Sequence, residues 1–137
     1  GQEKINFFYK IETRGAIENL NEILDKIDYA ILDRGDLSSE IGILNIFEAI
    51  KKVIATSNKK GVKLFVATQI LSSLTQSNIP SISDVIDLQW LLDREVTGFQ
   101  FSDETAIGKD PQNCIHWFSE IINSNIKGSA SKILYLI

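Results

Sequence analysis

Tyr29-Ala30-Ile31-Leu32-Asp33-Arg34-Gly35-Asp36 decides the fold. A short apolar run with no polar alternation ends abruptly in Asp33-Arg34-Gly35-Asp36. An uninterrupted apolar run is what a strand covered on both faces requires, as in a parallel sheet. The charged turn at its carboxyl end is where parallel α/β proteins place their ligands.

The flanking segments repeat the theme. Upstream, Ile17, Leu20, Leu24 and Ile27 recur at helical spacing, which predicts an amphipathic helix over about residues 16–26. Before it, Ile5 to Ile11 reads as a buried strand. Downstream, Ile43, Ile46, Phe47, Ile50, Val53 and Ile54 form the stripe of a long helix, and Gly61 suits the left-handed position after its end. Val62 to Ala67 is a third strand, and Ile70, Leu71 and Leu74 predict a short helix. Pro80 interrupts, and Val85, Leu88, Leu91 and Leu92 restart a helical stripe. Val96 to Phe101 is a fourth strand. Asp110-Pro111 caps a last helix, with proline at its first position and Ile115, Phe118, Ile121 and Ile122 on its buried face. The order β-α-β-α-β-α-β-α predicts an α/β protein with a parallel sheet covered by helices. Lys132 to Ile137 follows a Gly128-Ser129-Ala130 break, and is either an extra strand or the stub of a longer chain.

The 137 residues, 44% hydrophobic, suffice for one core and predict one domain over residues 1–137. The net charge of -4 carries no basic bias and argues against nucleic acid. No apolar run approaches the ~20 residues that span a bilayer, which argues against a membrane role. Gly1-Gln2-Glu3-Lys4 lacks the layout of a signal peptide. A cytoplasmic protein is expected. Cys114 is the one cysteine, read as a buried thiol, so no disulfide framework can form. His116 is the one histidine, read as an ordinary surface or half-buried residue.

Every strand ends in polar residues: Lys10-Ile11-Glu12-Thr13, Asp33-Arg34-Gly35-Asp36, Thr68-Gln69 and Ser102-Asp103-Glu104-Thr105. Lys10 and Glu12 are two apart and share one face of their strand. Taken alone, that pair is a surface ion pair worth about 0–1 kcal/mol. Beside Asp36 it means more. Glu12 and Asp36 are hard oxygen ligands on adjacent strand ends, and two carboxylates completed by water and a substrate oxygen form a common Mg²⁺ arrangement. Lys10 next to such a metal is a fixed positive charge for an oxyanion or a transferring phosphoryl group. Gly35 lets backbone N–H groups approach an anion closely. Thr68 and Ser102 offer hydroxyls for hydrogen bonding or proton relay.

These clusters, in this order, resemble the pyruvate kinase family. The matching stretches are Lys10-Ile11-Glu12, Glu18-Asn19-Leu20-Asn21-Glu22-Ile23-Leu24, Arg34-Gly35-Asp36-Leu37 with Glu40-Ile41, Ala67-Thr68-Gln69-Ile70-Leu71, and Ser102-Asp103-Glu104-Thr105-Ala106-Ile107-Gly108. They cover about residues 5–122 and leave 123–137 as linker plus the extra segment. The resemblance implies four consecutive βα units, the second half of a (β/α)8 TIM barrel. It implies that Lys10 stabilises the phosphoryl group and the enolate of pyruvate. Glu12 and Asp36 would ligate Mg²⁺ or Mn²⁺, and Gly35 and Asp36 would present N–H groups to the substrate carboxylate. Thr68 would bind that carboxylate and, with Ser102, deliver a proton. Glu104 stands at the glutamate of the family's Ser-Gly-Glu-Thr and is counted with the substrate-binding residues.

The departures are as informative. Tyr9 replaces a small residue, and Asp103 replaces the glycine of Ser-Gly-Glu-Thr. The family's Pro-Thr-Arg-Ala-Glu element shrinks to the region of Pro80-Ser81-Ile82, without its arginine, before Ser83-Asp84-Val85 rejoins the pattern. The first half of the barrel, with its monovalent-cation site and nucleotide-holding arginines, is not in these residues. A half-barrel leaves two bare strand edges and an uncovered face. Either a second copy or a partner domain completes it, or Lys132–Ile137 covers an edge. Three functions follow: a Mg²⁺-dependent phosphotransferase on phosphoenolpyruvate or pyruvate completed by another chain or domain, a non-catalytic binding or assembly module, and a lyase or aldolase using the same metal–enolate site.

Overall fold

In a computed structural model of the chain, residues 3–102, 110–125 and 133–136 are described, residues 135 and 136 without their side chains. The elements run β1 (Phe8–Ile11), α1 (Arg14–Glu18), α2 (Leu20–Leu24), β2 (Tyr29–Asp33), α3 (Arg34–Ile41), a 3-10 turn (Ile43–Asn45), α4 (Ile46–Lys60), β3 (Lys63–Ala67), a second 3-10 turn (Ser72–Thr75), α5 (Ile82–Asp93), β4 (Gly98–Gln100), α6 (Pro111–Asn123) and β5 (Leu134–Leu136). The strands follow the order β1-β2-β3-β4-β5 in one sheet. Parallel strands with intervening helices confirm the α/β class and match part of a TIM barrel. The chain divides into two compact units, residues 1–66 and 67–137.

In the first unit, β1 lies parallel to β2 with Phe8 beside Tyr29, Lys10 beside Ile31 and Ile11 beside Leu32. Ile11, Ala30 and Leu32 are wholly buried. Period-two alternation puts Lys10 and Glu12 on the opposite face of β1 from Ile11, and Ile31 and Asp33 opposite Leu32. That second face is graded along its length. At the amino end Phe8 stacks with Tyr29 and Phe65, with centroids 5.0 and 5.4 Å apart. At the carboxyl end it is charged. Helix α4 buries Ala49, Ile50, Val53, Ile54 and Ser57, the spacing of one helical face. It stops at Gly61, whose φ of 69° is left-handed.

In the second unit, Asp110 caps α6 by accepting the Asn113 N–H at 3.0 Å, with Pro111 in the first turn. Phe118 packs edge-on against Phe99 and Phe101, with centroids 5.5 and 5.0 Å apart. Cys114 is buried and His116 exposed. Leu134–Leu136 lies parallel to β4, with Gly98 beside Leu134 and Gln100 beside Leu136. Leu134–Leu136 is thus the extra strand, paired with β4.

Several expectations need correction. The helix foreseen over 16–26 is two short ones. The Asn19 side chain donates to the Gly15 carbonyl at 2.9 Å, and this local bond ends the first turn of helix. Strand β1 is shorter than Ile5–Ile11, and only Ile11 of it is buried: Phe8 is 36% and Tyr9 42% exposed, and before the strand Ile5 is 71% and Phe7 80% exposed. Ile43 and Phe47 belong to an exposed turn and helix start rather than to the buried stripe. Helix α3 was not foreseen. Ile70 and Leu71 are buried but precede a 3-10 turn in place of a helix.

Candidate functional site

The carboxylates of Glu12, Asp33 and Asp36 converge in the first unit. One oxygen from each lies within 4.8 Å of the others. The β1–β2 register explains two of them: one step beyond Ile11–Leu32 brings Glu12 beside Asp33, both on the charged face. The third comes from α3. Asp33 is its N-cap, and Oδ1 of Asp33 accepts the Asp36 N–H at 3.1 Å. Capping starts the helix at Arg34 and sets Asp36 in its first turn, where a carboxylate is favoured by the helix dipole.

Lys10 reaches into this group. Its Nζ is 2.7 Å from Glu12 Oε2 and 3.1 Å from Asp33 Oδ2. The Glu12 carboxylate first, then Asp33, hold the ammonium above the ordinary lysine range, against a smaller opposing cost of burial. The Lys10 side chain is 47% exposed and that of Asp33 only 9%. Oε2 of Glu12 is buried and makes no hydrogen bond among the described residues; the Lys10 contact is an ion pair without the angles of one.

That buried, hydrogen-bond-free oxygen suits a cation site. So does the donor set, three carboxylates and no sulfur or imidazole, which matches Mg²⁺ or Mn²⁺ rather than softer metals. Asp33 was not among the residues expected to ligate. The sequence signal was present, because an Asp three residues before another acid marks a helix start, but burial beside Glu12 depends on a register that spacing alone does not specify.

The remaining site residues are placed as follows. Gly35 sits in the first turn of α3, its carbonyl accepting the Ser38 hydroxyl at 2.7 Å. The Asp36 N–H, expected to face a substrate carboxylate, is taken by the Asp33 cap. Thr68 and Ser102 belong to the second unit. Thr68 has φ 68°, and Gln69 and Leu71 share that left-handed region at 56° and 52°. A β-branched residue there is strained, by about 1–3 kcal/mol, and such strain collects at functional sites. Ser102 Oγ is buried with no hydrogen bond among the described residues. Glu104 and Asp103 lie outside the described residues. Two cavities, about 290 Å³ around Arg14, Ile41 and Lys52 and about 350 Å³ around Thr75, Asn78 and Asn113, share no residue with the acidic cluster. No described helix is long and apolar enough to cross a membrane.

The family model described as "Pyruvate kinase, barrel domain" matches residues 1–115. The pyruvate kinase of Pyrobaculum aerophilum is 35% identical over 113 residues, 82% of this chain and 24% of that protein. That of Thermoplasma acidophilum is 30% identical over 112 residues, 82% of this chain and 21% of that protein. Among solved structures, Pyrobaculum aerophilum pyruvate kinase superposes with a TM-score of 0.80 at 32% identity, over 95% of this chain and 29% of that one. Cryptosporidium parvum pyruvate kinase gives 0.81 at 31%, over 85% and 24%. The chain therefore spans about a quarter of the length of the relatives it matches.

Proposed function

The chain belongs to the pyruvate kinase family, and from that premise we propose that it carries a divalent-metal half-site for phosphoenolpyruvate, pyruvate or its enolate. The observation that carries this reading is the convergence of the Glu12, Asp33 and Asp36 carboxylates, with Lys10 paired to Glu12 and Asp33, where β1 and β2 end and α3 begins. Glu12 and Asp36 would hold Mg²⁺ or Mn²⁺, with Asp33 beside them. The bound ion supplies Lewis-acid polarisation and charge neutralisation for a carboxylate or enolate oxygen. Lys10 presents its ammonium to the same oxygen or to a phosphoryl group. Gly35 offers a close backbone approach at the start of α3. Thr68 orients the substrate carboxylate and, with Ser102, moves a proton. Glu104 completes the substrate-binding residues.

Another chain or domain completes the site. The support is the place of β1 at the end of the strand order, the exposed Ile5 and Phe7 just before it, and the quarter of a relative's length that the chain spans. A homo-oligomer or a partner domain meets that need, in a cytoplasmic protein. A second reading, a non-catalytic module derived from pyruvate kinase, is favoured by the same partial coverage and by the loss of the arginine after β3.

Calorimetric titration with Mn²⁺ and then oxalate, an enolate mimic, tests the half-site. The proposal expects oxalate to bind only when the metal is present. Metal-independent binding, or none, removes it. Solvent-proton exchange into pyruvate then separates an enolising site from a silent module.

A further inference from the structure

We infer that Asp33 is the third carboxylate of the cation site and the positioning residue for Lys10, so that the metal and the Lys10 ammonium compete for the same oxygens. This rests on the proposed metal site and adds its order of assembly.

The two oxygens of Asp33 have separate tasks. Oδ1 caps α3 through the Asp36 N–H. Oδ2 faces Lys10 at 3.1 Å. The Asp33 side chain is nine-tenths buried, and a buried carboxylate demands a positive partner. Lys10 supplies it, bridging Asp33 Oδ2 and Glu12 Oε2, the oxygen with no hydrogen bond among the described residues. The ammonium thus stands in for a cation. By residue type the group sums to three negative charges and one positive, -3 + 1 = -2, the complement of one divalent ion. Without Asp33 the sum is -2 + 1 = -1.

Glu12, Asp33 and Asp36 would hold a divalent ion through oxygens that Lys10 now faces, and its charge would repel the ammonium. Lys10 is half exposed on a flexible stem and has room to turn away. Its ammonium is then available to an incoming anion. On this reading Lys10 would become available to an anion only after its carboxylate partners engage a cation.

Asp33→Asn separates the two tasks. The amide oxygen still accepts the Asp36 N–H, but the charge is gone. Mn²⁺ affinity is measured by calorimetry on the unaltered chain, Asp33→Asn and Lys10→Met, with thermal melting of each. The inference expects Asp33→Asn to weaken Mn²⁺ by ~10-fold or more and Lys10→Met to tighten it several-fold. A residue that merely supports the fold would not produce that opposite pair of signs. Equal affinity in Asp33→Asn and the unaltered chain, or weaker binding in Lys10→Met, overturns the inference while the metal site stands. If Asp33→Asn melts early, the sign of the Lys10→Met change decides. No Mn²⁺ binding by the unaltered chain overturns the proposed function and this inference together.

Discussion

Lys10 Nζ stands 2.7 Å from Glu12 Oε2, two residues along the same strand face. Strand periodicity alone produces this neighbourhood. The register with β2 and the capping of α3 turn it into a cluster, by bringing up Asp33 and Asp36.

Glu12→Gln and Asp36→Asn each replace a carboxylate proposed as a ligand with a neutral amide of the same shape. Each is expected to lower Mn²⁺ affinity by more than ~10-fold. Neither carboxylate lies in the apolar core, so the melting midpoint stays within a few degrees. Calorimetry beside a thermal melt reads both, and unchanged Mn²⁺ affinity in either variant removes that residue from the ligand set.

The Lys10 ion pairs also leave a trace in alkali. The folded lysine is raised above its usual 10.5, first by Glu12 and then by Asp33. A raised lysine stabilises the fold fully below the unfolded value, and that contribution is lost as pH climbs through the folded one. The urea midpoint of the unaltered chain should therefore approach that of Lys10→Met only above about pH 10.5. The solvent exposure of the side chain keeps the effect small.

Burial pushes the Cys114 thiol up to about 11 from 9.0. The thiolate is the reactive form, so the native chain should react with a disulfide reagent slowly at pH 8, and far faster once unfolded in urea. Because the folded value is the higher, the associated stability is present below 9.0 and is lost between there and about 11. Fast native labelling would contradict the burial of this face of α6.

Gly61 has a left-handed φ of 69° with nothing within 4 Å of a Cβ placed there. Gly61→Ala should cost about 1–2 kcal/mol, all of it backbone strain. Phe118→Ala removes the ring held between Phe99 and Phe101 and should cost ~3–5 kcal/mol. Chemical denaturation ranks the two, and a Gly61→Ala loss equal to that of Phe118→Ala would contradict the account of the helix end.

What the sequence made legible was what rests on local pattern. The apolar runs at Tyr29–Leu32 and Val62–Ala67, the stripe from Ile50 to Ile54, the Gly61 stop and the Asp110-Pro111 start all appear where spacing predicts them. The pairing of Lys10 with Glu12 followed from strand periodicity. What escaped depends on context. Helix α3 runs through Gly35, Ser38 and Ser39, which are poor helix formers, and is started by the Asp33 cap rather than by propensity. Asn19 splits a continuous apolar periodicity with one side-chain bond. Ile5, Phe7 and Phe8 look like core in sequence but are exposed, before and at the start of β1. Asp33 reads as one more polar turn residue, and only the β1–β2 register shows it buried against Lys10. Family resemblance located Glu12 and Asp36; it did not point to Asp33.

The most direct measurement is a Mn²⁺ titration of the unaltered chain followed by electron paramagnetic resonance of the free ion. The account predicts loss of the free-ion signal at one Mn²⁺ per chain, reversed by excess Mg²⁺. A free-ion signal that rises with total Mn²⁺ as it does in buffer, up to millimolar concentrations, would contradict it.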